Sequence, residues 1–114
     1  MKMLRAIIRP EKEEAVVSAL AAAGFRALTK TDVTGRGRQQ GIQVGSALYE
    51  ELAKVQLLLV VDDAQAEQAL KVILETGKTG NFGDGKVFLS PVDEVHTIRT
   101  GQKEEPLNAG NDER

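Results

Sequence analysis

The chain has no cysteine and no tryptophan, and only one histidine, one tyrosine and three phenylalanines among 114 residues. Each shortage excludes something. Without cysteine there is no disulfide and no thiolate metal site. His96 has neither a cysteine nor a second histidine to share a metal with, and reads as a structural or surface residue. Phe25, Phe82 and Phe88 are scattered, so a sheet that stacks RNA bases on adjacent strands fits poorly. A net charge of −2 gives no bulk attraction for nucleic acid or a membrane surface. The longest apolar stretch, Val55 to Val61, is broken by Gln56 and is far too short to cross a bilayer. The opening MKMLRAIIRPEKEE lacks the long apolar region and small-residue cleavage site of a signal peptide, so a cytoplasmic protein is expected. The length suits one domain with a real core.

What is present has a clear order. Met3 to Ile8 is short, mostly apolar and partly β-branched, which predicts a buried strand. Pro10 suits the first turn of a helix, with Glu11, Glu13 and Glu14 near its positive end. Val16, Val17, Leu20 and Ala21 recur at helical spacing, and Gly24 suits a C-terminal cap. Residues 27–33 alternate as a second strand. Gly35 to Lys54 shows no period and holds four glycines, a long loop of the kind that often carries function. Leu57 to Val61 predicts a third, buried strand. Asp62 and Asp63 offer caps for a second helix with the face Ala66, Ala69, Leu70, Ile73 and Leu74, closed by Gly77. Val87 to Leu89 and Val95 to Arg99 read as short strands, and the segment from Gln102 is a polar tail. Strand–helix–strand occurs twice. The expected fold is an α+β, ferredoxin-like βαββαβ sandwich, an antiparallel sheet with two helices on one face. The domain spans 1–101, with the long loop at about 36–54 and the tail at 102–114.

The stretch TGNFGDGKVF, Thr79 to Phe88, holds the strongest chemical signal. Gly80, Gly85 and Lys86 match a phosphate loop until Val87 stands where a magnesium-binding Ser or Thr belongs. A helix precedes this loop and a strand follows it, the reverse of the Walker arrangement. Two readings remain: a nest of glycine amides beside a lysine, suited to phosphate, or a glycine-rich turn with a solvated lysine. Gly35 to Gly41, GRGRQQG, is a second basic glycine-rich stretch, and Arg99 adds a third basic position. If the three segments meet, Arg36 or Arg38, Lys86 and Arg99 form a cationic pocket. No nucleophile has a base beside it.

These residues carry a resemblance. TGNFGDGKVFLSPVDEVHTIRTG, GRGRQQG and the opening KMLRAIIRPEK resemble the PII nitrogen-regulatory signalling proteins, over about residues 1–101. NFGDGKVFLSPV, HTIRTG and GRGRQQGIQVG look most like the branch associated with nitrogenase genes. The resemblance implies a homotrimer with a nucleotide in each cleft between subunits and no metabolic catalysis. It implies sensing of ATP against ADP, and of 2-oxoglutarate together with Mg2+ and ATP. By matching positions it places Gly37, Arg38, Gly83, Asp84, Gly85, Lys86 and Arg99 at the nucleotide phosphates and Thr29 near the adenine. It places Gln39, Gln40, Gly41 and Lys54 at 2-oxoglutarate, with Gln39 also on the magnesium. The long loop corresponds to the family's T-loop, which docks on target proteins. Dinitrogenase, with a sister PII protein, is the expected target; an ammonium transporter or a carbon-metabolism protein is the alternative.

Departures from the family pattern are also visible. Thr97 replaces a common arginine two residues before Arg99, the T-loop is short, and Tyr49 does not align with the uridylylated tyrosine of enteric members. Leu58 stands where many relatives carry charge. A small acyl-phosphate hydrolase on the same fold is the remote alternative. It would use Arg9 and an asparagine, and the asparagines are Asn81, Asn108 and Asn111.

Overall fold

The computed structural model describes residues 1–36 and 51–106. Its elements are β1 (Lys2–Ile8), α1 (Glu13–Ala22), β2 (Thr29–Gly35), β3 (Leu52–Val61), α2 (Ala66–Gly77) and β4 (Gly85–Pro91). A single tight turn leads into each helix, at Pro10–Lys12 and Asp63–Gln65. The strands form one antiparallel sheet in the order β2-β3-β1-β4. The ferredoxin-like architecture expected from the repeated strand–helix–strand pattern is therefore present.

Alternation along the central strands decides which face is buried. Leu4, Ala6 and Ile8 on β1, and Val55, Leu57, Leu59 and Val61 on β3, point to the helix side and are almost fully buried. They join Val16 and Leu20 of α1 and Ala66, Ala69 and Ile73 of α2 in one apolar cluster. A leucine buried this completely is stabilised by roughly 1.5–3 kcal/mol relative to exposure. The register places Met3, Ile7, Leu58, Val60 and Phe88 on the other face, which carries no helix. Phe88 there is 50% exposed.

The helix ends differ. Gly24, with φ +97°, follows α1; Phe25 N–H donates to Leu20 O at 2.8 Å and Gly24 N–H to Ala21 O at 3.0 Å. This double bond pattern is a Schellman cap, and its usual apolar contact is supplied by Phe25 and Leu20, both in the core. Gly77 is the last residue of α2 and has no positive φ. Asp62 precedes the second tight turn, but its side chain makes no capping hydrogen bond.

Two strand expectations need correction. β3 begins at Leu52, not Leu57, so Lys54 is a strand residue rather than the end of a loop. The last three residues assigned to the long loop, 52–54, therefore belong to β3. Val95 to Arg99 is not a strand of the sheet. The chain turns at residues 98–100, Thr97 N–H donates to Gln102 O, and only His96 and Lys103 form a bridge. β-branched residues alone suggested a strand there. With β4 already at the sheet edge, the segment pairs back on itself.

Candidate functional site: a cationic cleft at one end of the sheet

The antiparallel register gathers four chain ends. Ile8, the end of β1, lies opposite both Val55 and Gly85, and Gly35, the end of β2, lies opposite Leu52. The start of the long loop, Lys54 and the glycine-rich loop before β4 therefore share one end of the sheet. Between them lies a cleft of about 470 Å³ lined by Ile7, Arg36, Lys54, Phe82, Lys86 and Phe88 with residues 83–85.

The loop between α2 and β4 is built around Asp84. Its Oδ2 accepts the backbone N–H of Thr79 at 2.8 Å and of Gly80 at 2.9 Å. Its Oδ1 accepts the Thr79 hydroxyl and, at 2.9 Å, Arg9 Nε. Arg9 Nη2 donates to Phe82 O at 2.7 Å, and Lys54 Nζ donates to Gly83 O. Gly83 (φ +98°) and Gly85 (φ +102°) turn the chain in the left-handed region. A Cβ on Gly85 would stand 1.7 Å from the Ile7 carbonyl oxygen, so no other residue can start β4 this close to β1.

The electrostatics favour an anion. The Thr79 hydroxyl, then Arg9 and the loop amides, hold the Asp84 carboxyl well below the usual carboxylate range. Its charge is turned inward, to the loop's own donors. Burial, then the neighbouring Arg9, push the Lys54 ammonium below its usual value. Lys86 has no ion-pair partner among the described residues. A ligand with negative charge would meet Lys54, Lys86 and Arg36 at the cleft wall, with the one carboxylate already occupied.

The structure thus brings Gly83, Asp84, Gly85, Lys86 and Lys54 together, with Arg36 of the basic glycine-rich stretch beside them. It does not bring Thr29 or Arg99 to the cleft within one chain. Thr29 opens β2, opposite Leu58, and Arg99 lies exposed in the turn after β4. Gly37, Arg38, Gln39, Gln40, Gly41 and Tyr49 lie outside the described residues. His96 sits on the surface, 2.8 Å from Glu94. Sequence reasoning missed Arg9 as a loop residue, along with Ile7, Phe82 and Phe88 as cleft walls. The signal for Arg9 was its place one residue beyond β1, at the strand end that the register sets beside Gly85. Among the described residues no cluster of three or more His, Cys, Asp or Glu could hold a metal.

A ferredoxin-like sheet with a glycine loop and a cationic cleft at one end defines a class of small α+β domain, not one activity. Comparison with known proteins narrows it. The family profile described as Nitrogen regulatory protein P-II matches residues 1–102. The nifHD-region GlnB-like protein 1 of Methanothermobacter marburgensis is 56% identical over 103 residues, which is 90% of this chain and 98% of that one. The corresponding protein of Methanococcus maripaludis is 56% identical over 100 residues, 88% of this chain and 95% of that one. A protein named Nitrogen regulatory protein P-II 2, from Methanothermobacter thermautotrophicus, is 45% identical over 106 residues, 90% and 92% of the two chains. This chain belongs to the P-II family of nitrogen regulatory proteins, and its relatives include the nitrogen-fixation nifHD-region branch. No helix among the described residues is long and apolar enough to cross a membrane.

Proposed function

We propose that this protein is a nucleotide and 2-oxoglutarate sensor that regulates nitrogen fixation by contact with a target protein. The carrying observation is the meeting of Gly83–Lys86, Lys54 and Arg36 around one cleft. Glycine amides beside lysines and an arginine suit the phosphates of ATP or ADP. Lys54, desolvated and next to Arg9, suits a carboxylate such as that of 2-oxoglutarate. In this reading Gln39 joins Mg2+ and 2-oxoglutarate, Gln40 and Gly41 complete that site, and Gly37 and Arg38 add to the phosphates. The region's relatives in nitrogen-fixation gene clusters favour dinitrogenase as the target, with an ammonium transporter as the alternative.

The working unit in this reading is a homotrimer. The helix-free sheet face, with Met3, Ile7, Leu58, Val60 and Phe88 around Arg5, offers a largely apolar surface to a partner subunit, and Leu58 stands there in place of charge. Thr29 and Arg99 would reach the cleft of a neighbouring subunit, since neither reaches the cleft of its own. The hydrolase reading is weakened because the Arg9 guanidinium is committed to Asp84 and Phe82 O.

Calorimetry with ATP, ADP and 2-oxoglutarate, with and without Mg2+, tests the sensor. The expected result is nucleotide binding alone and 2-oxoglutarate binding only with Mg2+ and ATP, each strengthening the other equally. Turnover of an acyl phosphate with no nucleotide binding would overturn it.

A further inference from the structure

We propose that Arg9 is a positioning residue: through Asp84 it holds the glycine loop in its anion-receiving shape before any ligand arrives. The proposal rests on the reading of this loop as a phosphate site, and goes beyond it by giving Asp84 and Arg9 roles on the loop rather than on the ligand.

The geometry argues this from both ends of the pair. A carboxylate in a phosphate loop is unfavourable if it faces the phosphate. Asp84 instead directs both oxygens at four donors: Thr79 N–H, Gly80 N–H, the Thr79 hydroxyl and Arg9 Nε. The first three lie within the loop and tie its start to its end. Arg9 comes from the far side, one residue beyond β1, and anchors the tied loop to the sheet. Its second contact, Nη2 to Phe82 O at 2.7 Å, fixes the tip of the same loop. A planar guanidinium can serve two acceptors in one plane; a lysine ammonium at this position cannot reproduce that fork. Lys54 adds a third strut at Gly83 O. Side-chain exposures of 21% for Arg9 and 25% for Asp84 leave the pair shielded yet next to the cleft.

The consequence is a population effect. If loss of Arg9 lowers the competent fraction of the loop to about a tenth, nucleotide affinity falls about tenfold with no ligand contact removed. The same holds for Asp84. That sets a sign test. Asp84→Asn removes a negative charge near the phosphates. Acting on the ligand, this would tighten ATP binding; acting on the loop, it weakens it.

The experiment compares wild type, Arg9→Ala, Arg9→Lys, Asp84→Asn and Arg9→Ala/Asp84→Asn as full chains. Amide hydrogen exchange is read over residues 79–86 without ligand, and Mg-ATP affinity is read by calorimetry. The proposal predicts about tenfold faster exchange at Thr79 and Gly80 in both single variants. It predicts about tenfold weaker ATP binding in each, and a double variant little worse than either, because the two residues act as one unit. Arg9→Lys should recover only part of both. Exchange at wild-type rates in Arg9→Ala, tighter ATP binding in Asp84→Asn, or full recovery of ATP affinity in Arg9→Lys with the loop still exchanging fast would each overturn it. If wild type binds no nucleotide, the sensor reading fails, and the exchange rates alone still decide whether Arg9 holds the loop.

Discussion

The protein connects a helix to an edge strand twice, and builds the two connections differently. After α1, residues 23–28 run from a glycine cap straight into the core: Gly24 turns the chain, Phe25 plugs beneath Leu20, and β2 follows. After α2, residues 78–84 stay at the surface and are held by side chains: Asp84, Thr79, Arg9 and Lys54. The first is held by apolar burial and backbone hydrogen bonds. The second is held by charge, and leaves glycine amides and Lys86 beside a cleft. A connection closed by packing has nothing left to offer a ligand. One closed by polar struts keeps its backbone near solvent, which is where an anion site has to be.

Substitutions at matching places should separate the two. Gly85→Ala should be the most damaging, because its Cβ would overlap the Ile7 carbonyl and force β4 off β1. A loss of about 4 kcal/mol or more is expected in denaturant unfolding. A normal midpoint would mean the strand start is not as tight as described. Phe25→Ala should cost about 3 kcal/mol, the lower end for a buried phenylalanine, as the connection can settle into the space. Retained stability there would break the claim that packing closes the first connection.

The glycines at the two helix ends give smaller effects of opposite sign. Gly24→Ala should cost about 1 kcal/mol, since φ is +97° although the space is open. Gly77→Ala should be neutral or stabilising by up to about 1 kcal/mol. Its Cβ would sit in ordinary contact, 3.7 Å from a Val16 methyl and 3.8 Å from an Ile8 methyl. Thermal midpoints of the two variants moving the same way would erase the distinction.

The smallest effect is in pH. Asp84 is held below its ordinary value, so its hold on the loop is complete above the ordinary carboxylate range and is lost only as pH falls through its lower folded value. Thr79 and Gly80 amides should therefore keep their protection from neutral pH down to about pH 4, where an unperturbed aspartate would be half protonated. Protection already halved there would show that the carboxyl is not held by the loop.

The fold was largely legible in the sequence because its cues are local. The apolar run of β1, period two in β2, period 3.6 in α2, and Gly24 after α1 each report one element or its end. The start of β3 was hidden because Lys54 and Gln56 fall on the helix-free face, so the strand carries polar residues that break an apolar run without breaking the alternation. Val95 to Arg99 misled in the opposite way: β-branched residues fit a strand, but strand formation also needs a partner edge. At the candidate site, the glycine loop was marked by its own glycines and Lys86, and Lys54 by the resemblance to a family. Arg9 was not, because its role depends on register, and a contact across 75 positions leaves no local trace.

In the proposed function the second connection is the ligand loop and the first is scaffold. Amide chemical shifts recorded while Mg-ATP is titrated into the 15N-labelled protein test it most directly. Saturable shifts are expected at Gly83, Asp84, Gly85 and Lys86, with Gly24 and Phe25 unmoved. Tight ATP binding that leaves those four amides where they were, or moves Gly24 and Phe25 as much, would contradict it.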